Sequence, residues 1–201
     1  MAGMNSNKEG YVKTILRSWK PILLWGMVLV AVLMLGAVID NTGISGTCMF
    51  ILMPYFAAMA ATIPVIKVKR FGTGICTFLP YVLIGFYPLY YFDWVQRPAL
   101  IGLWAVFAYA LSGFVIGAVM DLAYLATGRL PERTRAIVVG AAMQAITFVV
   151  TLVGLGCLYT PTSDMAAHVH FFDRGWFFSL PWMVVNGAFG GYTACALKKQ
   201  A

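Results

Sequence analysis

The chain has 201 residues and a formal net charge of +7, with 61% hydrophobic and only 10% charged residues. A soluble domain carries charges on about a quarter of its residues, so this composition argues against a water-soluble globular protein. The basic residues are divided among separate segments instead of gathering on one face, which argues against a nucleic-acid-binding protein.

Six apolar stretches follow one another along the chain. They cover roughly residues 21–40, 44–66, 72–92, 98–127, 135–159 and 176–197, and each is near the ~20 residues needed to cross the hydrocarbon core. We therefore predict an all-α fold: a polytopic membrane protein with six transmembrane helices in a single domain, residues 1–201. The first stretch is not followed by a small-residue cleavage site, so no removable signal peptide is predicted.

The basic residues alternate from one connection to the next. Twelve of the fourteen lie in alternate segments: Lys8, Lys13, Arg17 and Lys20 before the first stretch, Lys67, Lys69 and Arg70 in the second connection, Arg129, Arg133 and Arg135 in the fourth, and Lys198 and Lys199 in the tail. The remaining connections hold only Arg97 and Arg174. By the positive-inside rule the twelve face the cytoplasm, which places both termini there and predicts a multi-pass protein of the cell membrane.

Acidic residues show the opposite distribution. Asp40, Asp93, Asp164 and Asp173 all fall in the predicted outer connections. Two explanations remain open: acids are tolerated in outer loops because orientation depends mainly on Lys and Arg, or the outer mouth attracts cations and holds a polar solute.

Pairs of small residues recur at a spacing of four. Ala57 with Ala61 and Gly113 with Gly117 are the partner-docking candidates, because small side chains let two helices approach closely in lipid. Their partner helix could belong to this chain or to another subunit, and the sequence leaves both open.

Few polar residues fall within the predicted spans. The amides of Gln144 and Asn186 would be costly in contact with lipid, so both are expected to point into the bundle. Asp121 lies near the inner end of the fourth stretch, where it is expected to meet Arg129 or Lys69.

Aromatic residues concentrate near the predicted outer ends of the third and sixth stretches. An interfacial belt and a pocket for a ring-bearing ligand both explain this density. In the pocket interpretation the candidate substrate-binding residues are Tyr87, Tyr91, Asp93, Trp94, Trp176, Trp182 and Asn186.

The predicted outer loop 160–175 contains both histidines of the chain, His168 and His170. In an extended backbone the two imidazoles would lie on one face and could share zinc, copper or a haem iron. A solvated polar loop is the alternative. We include both histidines as substrate-binding candidates on a loop that closes the outer mouth, and we predict no resident metal and no cofactor.

No enzyme signature is found: G-x-S-x-G, H-E-x-x-H and the Walker-type motif are all missing from the sequence. The chain is therefore predicted not to be an enzyme. Cys48 and Cys157 lie near predicted outer helix ends and could pair, but four buried free thiols are the favoured interpretation.

The overall layout is similar to a known transporter family. Six helices in about 200 residues, a last helix with Asn186-Gly-Ala-Phe-Gly-Gly-Tyr192 before a Lys-Lys tail, and a fourth stretch with Gly113-Phe-Val-Ile-Gly117 and Thr127-Gly128-Arg129 resemble the substrate-binding S components of energy-coupling factor (ECF) transporters. The resemblance implies a subunit that captures a vitamin-like nutrient and works with a coupling transmembrane subunit and two ATPase subunits. Membrane lipid is its other partner.

Two departures from the family pattern matter. The first helix has no Ala-x-x-x-Ala docking motif, and Ala57-x-x-x-Ala61 on the second helix would replace it. The chain starts Met1-Ala2 where the metal-specific branch starts Met-His, which disfavours cobalt or nickel uptake.

The ligand and the function class stay open at this point. Aromatic residues with aspartates favour a planar, thiamine-like ligand, and the histidine pair permits haem or a corrin. The alternative function is a non-catalytic structural subunit of a larger membrane complex, respiratory or photosynthetic. An ion-coupled carrier is disfavoured because Asp121 is the only acid in the predicted core.

Overall fold

A computed structural model describes residues 18–41, 52–85, 103–158 and 163–198, with side chains for 18–35, 52–84, 111–151, 153 and 178–198. Within these residues the fold is all-helical and has no strands. The six α-helices are α1 (Trp19–Asn41), α2 (Met53–Val68), α3 (Thr73–Pro80), α4 (Leu103–Ala126), α5 (Glu132–Leu158) and α6 (Ser163–Lys198). The all-α class predicted from the apolar stretches is confirmed for the described part of the chain.

The connection between α2 and α3 is a tight reversal. Lys69 adopts the left-handed conformation with φ 60° and its N–H donates to the carbonyl oxygen of Val65 at 3.0 Å, which ends α2. Gly72 has φ 94°, a conformation that favours glycine, and it precedes the first residue of α3. After Pro80, which has no N–H to continue the α-helical pattern, the chain forms a π-helical turn over Tyr81–Gly85.

The connection between α4 and α5 is equally short. The hydroxyl of Thr127 donates to the carbonyl oxygen of Ala123 at 2.7 Å, and the N–H of Leu130 donates to the carbonyl oxygen of Thr127 at 2.9 Å. Pro131 then precedes α5, whose first residue is Glu132. A carboxylate in the first turn interacts favourably with the helix dipole, so this sequence defines the start of α5.

Helix α2 lies at the centre of the bundle and contacts each of the other five α-helices. Most of its residues are buried: Pro54, Ala57, Ala58 and the continuous run from Ala60 to Ile66. The alanines are narrow, so neighbouring helices can pack around α2 from several sides. Larger core side chains from other helices, among them Leu29, Met120 and Val139, complete the packing.

Helices α5 and α6 contact each other through glycines. A Cβ atom added to Gly187 would lie 2.9 Å from the carbonyl carbon of Gly140, and one added to Gly191 would lie 2.8 Å from the carbonyl carbon of Ala136. Real Cβ atoms essentially never approach other atoms so closely. The two backbones are therefore in direct contact, and any larger residue at these positions would push them apart.

The last helix starts earlier than the sequence predicted. Residues 163–175, expected to form an outer loop over 160–175, are helical because α6 begins at Ser163. Ser163 and Asp164 are favourable helix-start residues, Pro161 precedes them, and no Gly or Pro interrupts the segment before Gly175. The predicted loop is corrected to helix over these residues.

The other predicted spans agree with the helices to different extents. The fourth and fifth stretches correspond closely to α4 and α5, whereas the third is divided into α3 and the π turn. Among the described residues, one stretch, Glu132–Thr151, is both long and apolar enough to cross a membrane. Four shorter apolar helical stretches accompany it: Trp19–Leu35, Met53–Val68, Thr73–Ile84 and Leu111–Ala126.

The outer surface of the bundle carries large apolar side chains on every helix. The exposed set includes Leu24 and Leu35 of α1, Phe56 of α2, Leu79 of α3, Leu122 of α4, Val153 of α5 and Phe189 of α6. Phe178, the first residue of α6 whose side chain is described, is 82% exposed. Apolar surface distributed around a whole bundle is uncommon in a monomeric soluble protein. Large exposed apolar patches mark sites of contact with another protein or with a membrane.

Candidate functional site

A polar cluster lies at one end of the bundle. Most residues of the predicted outer site fall outside the described part of the chain. Tyr87, Tyr91, Asp93 and Trp94 lie outside the described residues. His168, His170 and Trp176 lie on the helical backbone of α6, but their side chains are outside the described part.

The helical backbone changes the interpretation of the histidine pair. The prediction that both imidazoles could share one ion required an extended backbone, in which alternate residues lie on one face. On a helix, residues two apart do not face each other, and this segment is part of α6. The extended backbone that the shared-metal interpretation required is therefore not found at these two residues.

Asn186 bonds within its own helix. Its Nδ2 donates to the carbonyl oxygen of Trp182 at 2.9 Å, and the side chain is only partly buried. The expectation that this amide points into the bundle is wrong, because the preceding turn satisfies it locally. Trp182 is 46% exposed on the same helix.

Gln144 behaves as predicted. Its side chain is 2% exposed, and Nε2 donates to the carbonyl oxygen of Pro54 at 2.7 Å. This hydrogen bond joins α5 to the start of α2, so the costly amide has a partner inside the protein.

The small-residue pairs pack inside the chain. Ala57 and Ala61 are buried in the core around α2. A Cβ atom on Gly117 would lie 2.6 Å from the backbone of Gly74, and one on Gly113 would lie 2.9 Å from the ring of Tyr81. Of the two alternatives left open by the sequence, this packing matches the one in which the neighbouring helix belongs to the same chain.

Asp121, near the end of α4, is a highly connected polar group. Its side chain is 1% exposed, and its two carboxylate oxygens accept from the N–H groups of Gly72, Gly74 and Ile75 at 2.9, 2.8 and 3.4 Å. These donors are free N–H groups at the start of α3, so Asp121 caps that helix from a distant part of the sequence. The carboxylate is held by backbone amides, and the prediction that it meets Arg129 or Lys69 is wrong.

The cap depends on a close approach of α3 and α4. Gly117 lies one turn before Asp121 and touches the backbone of Gly74, which leaves no room for a side chain at either position. The two glycines bring the carboxylate within hydrogen-bonding distance of the amides. The sequence did contain a signal, an acid four residues after a glycine opposite a Gly-x-Gly turn, but only the tertiary structure shows that the two segments meet.

An ion cluster joins three helix ends beside this cap. Oε1 of Glu132, at the start of α5, lies 2.9 Å from Nζ of Lys69 and 2.5 Å from Nζ of Lys198. Lys69 follows α2 and Lys198 is the last residue of α6. The hydrogen bond to Glu132, followed by the attraction of its charge, raises the pKa of the Lys69 ammonium.

Two arginines stack on tyrosines at the same end. The guanidinium carbon of Arg135 lies 3.7 Å from the ring centroid of Tyr124, and that of Arg133 lies 4.2 Å from the ring centroid of Tyr192. Nη2 of Arg135 also donates to the carbonyl oxygen of Tyr124 at 2.9 Å. Cation–π contacts of this kind hold the start of α5 against α4 and α6.

Charge is therefore confined to one end of the bundle among the described side chains. The cations lie at the start of α1, at the end of α2, around the α4–α5 connection and at the end of α6: Lys20, Lys67, Lys69, Arg70, Arg129, Arg133, Arg135 and Lys198.

Comparisons with protein-family models, with curated proteins and with solved structures find no match for this chain. The candidate site is a basic end of the bundle with the buried carboxylate of Asp121 beneath it.

Proposed function

We propose that this protein is a multi-pass protein of the cell membrane. The observation that carries the proposal is the combination of apolar side chains exposed on all six helices with a set of described charged side chains that lies at one end of the bundle. Such a surface is stable in lipid, because the exposed Leu, Val and Phe side chains then contact acyl chains instead of water.

The basic end is assigned to the cytoplasm in this proposal. Cytoplasmic ends of membrane proteins carry an excess of Lys and Arg, and the described cations from four separate segments are all at this end. Glu132 and the backbone amides around Asp121 lie at the same end, so polar groups there are paired within the protein.

We further propose that the protein is the substrate-capture subunit of a nutrient uptake transporter. It would bind a vitamin-like or ring-bearing small molecule at the outer face, with a thiamine-like compound, haem and a corrin as the candidates. The support is the resemblance to ECF S components together with the aromatic and acidic residues from Tyr87 to Trp94, which lie in sequence between helices α3 and α4. A coupling transmembrane subunit and two ATPase subunits are the proposed partners.

The burial of the small-residue pairs affects how such a partner would bind. With Ala57, Ala61, Gly113 and Gly117 inside the bundle, a coupling subunit would contact the exposed apolar side chains. The alternative function, a structural subunit of a larger complex, could not use the buried pairs as interfaces either. The burial therefore gives the alternative no additional support.

Topology can be tested with single cysteines in a background without the four native ones. In intact cells a membrane-impermeant maleimide should label Asp93→Cys, while Lys67→Cys should react only after the membrane is permeabilised. Labelling of Lys67→Cys from outside would refute the proposed orientation.

Ligand capture is tested separately. The protein is purified in a mild detergent, and native mass spectrometry and an absorbance spectrum are recorded. A retained small molecule that is lost in the Trp94→Ala variant supports the capture function. A tightly associated redox subunit without a small molecule would support the structural alternative instead.

A further inference from the structure

The basic end also exposes apolar side chains beside its cations. Trp19 at the start of α1 is 49% exposed, and the Lys20 ammonium lies 5.9 Å from its ring centroid. Phe71 in the α2–α3 connection and Leu130 in the α4–α5 connection are also exposed. We call Trp19, Lys20, Lys67, Phe71, Arg129 and Leu130 the basic rim.

The two connections of the rim are neighbours in space. The ion pair between Lys69 and Glu132 joins the end of α2 to the start of α5, and the hydrogen bond from Gly72 to Asp121 joins the start of α3 to the end of α4. Gly26, seven residues after the start of α1, packs on Thr77 and Pro80, which lie four and seven residues after the start of α3. The rim is therefore one surface built from three parts of the sequence.

The described acidic side chains leave the cations of the rim unneutralised. Asp121 is buried against backbone amides, and Glu132 is shared by Lys69 and Lys198. Lys67 and Arg129 are exposed at this end, and the side chains described offer them no further carboxylate. An anion from outside the chain is the complementary charge.

We propose that the basic rim binds the headgroup of an anionic phospholipid. The cations attract the phosphate, while the exposed Trp, Phe and Leu side chains lie at the depth of the glycerol and upper acyl region, where aromatic and apolar groups are favoured. A free phosphate ion would use only the cations, whereas a lipid uses both kinds of side chain. The inference rests on the proposed membrane location.

The test compares two lipids with the same acyl chains. The full chain in a neutral detergent is titrated with phosphatidylglycerol and with phosphatidylcholine, and bound lipid is measured by native mass spectrometry. Phosphatidylglycerol should bind more tightly. The Lys67→Gln/Arg129→Gln variant should lose about fivefold in affinity for each cation removed, with phosphatidylcholine binding unchanged as evidence that the variant is folded.

Arg97→Gln is the matched control, because it removes a cation predicted to lie at the opposite end. Equal binding of both lipids, an equal loss in the control, or displacement of the lipid by inorganic phosphate would each overturn the inference. Extraction of the native membranes with alkaline carbonate separates this failure from that of the membrane proposal. A chain that stays in the pellet but shows no preference for phosphatidylglycerol refutes only the lipid site.

Discussion

The cap that Asp121 provides for α3 makes a strong prediction about stability. Replacing Asp121 with Asn keeps the size of the side chain but removes its charge and exchanges one acceptor oxygen for an NH₂ donor. Oδ2 accepts from Gly72 and Ile75 and Oδ1 from Gly74. In either orientation of the amide, its NH₂ group replaces one acceptor oxygen and faces a backbone N–H. At least one backbone N–H therefore loses its acceptor.

The magnitude follows from these three contacts. A hydrogen bond to a charged group contributes about 1.5–3 kcal/mol, and the loss of the favourable charge at the start of α3 adds roughly 0.3–1 kcal/mol. The removal of a buried charge, which is costly to desolvate, offsets part of this loss. We expect Asp121→Asn to lower the free energy of unfolding by about 2–4 kcal/mol, which corresponds to a fall in Tm of about 4–16 °C for a chain of this length.

The assay uses the native thiols of the core. Cys195 is buried and Cys76 is partly buried, so a thiol-reactive fluorophore reports unfolding during heating in detergent. Cys48 and Cys157 are first replaced by Ser. Leu122→Ala serves as the control, because Leu122 is the next residue and is exposed. If Asp121→Asn melts within about 1 °C of the parent protein, the capping explanation is wrong.

Three other changes test the remaining contacts. Glu132→Gln should destabilise by about 0.5–1.5 kcal/mol, because both of its ion pairs are partly exposed, and a double-mutant cycle should give Lys198 a larger coupling than Lys69, whose side chain is more exposed. Gly140→Ala should cost about 1–3 kcal/mol or prevent folding, because its Cβ would collide with the backbone of α6. Gln144→Met should cost about 0.5–1.5 kcal/mol, because the hydrogen bond between α5 and α2 is lost. The same thermal assay measures all three variants.

Two of these changes have a matched comparison. Gly128→Ala, at the α4–α5 connection, brings its Cβ near a single carbonyl oxygen at 3.1 Å and should cost much less than Gly140→Ala. The effect of Glu132→Gln should shrink as salt is added, since exposed ion pairs are screened. A salt-independent loss, or equal costs at the two glycines, would contradict the packing described above.

Several features were predictable because they depend on neighbouring residues in the sequence. The apolar stretches predicted the all-α class, and the bounds of the fourth and fifth stretches predicted the positions of α4 and α5. Burial of Gln144 followed from the cost of an amide in lipid. The predicted loop over 160–175 is wrong for residues 163–175, because the helix-start residues Ser163 and Asp164 begin α6 there.

Other features depend on which helices become neighbours, and a single sequence does not contain that information in local form. Asp121 could be recognised as a costly acid, but the amides that hold it are 47 and 49 residues away in the chain. The same is true of Gly117, whose spacing predicted close contact without identifying Gly74 as the partner. The sequence by itself determined that the chain is helical and approximately where α4 and α5 lie, because both follow from local composition. Only the tertiary structure decided which groups satisfy the buried carboxylate and whether the small-residue faces are used within the chain, because these depend on distances between segments that are remote in sequence.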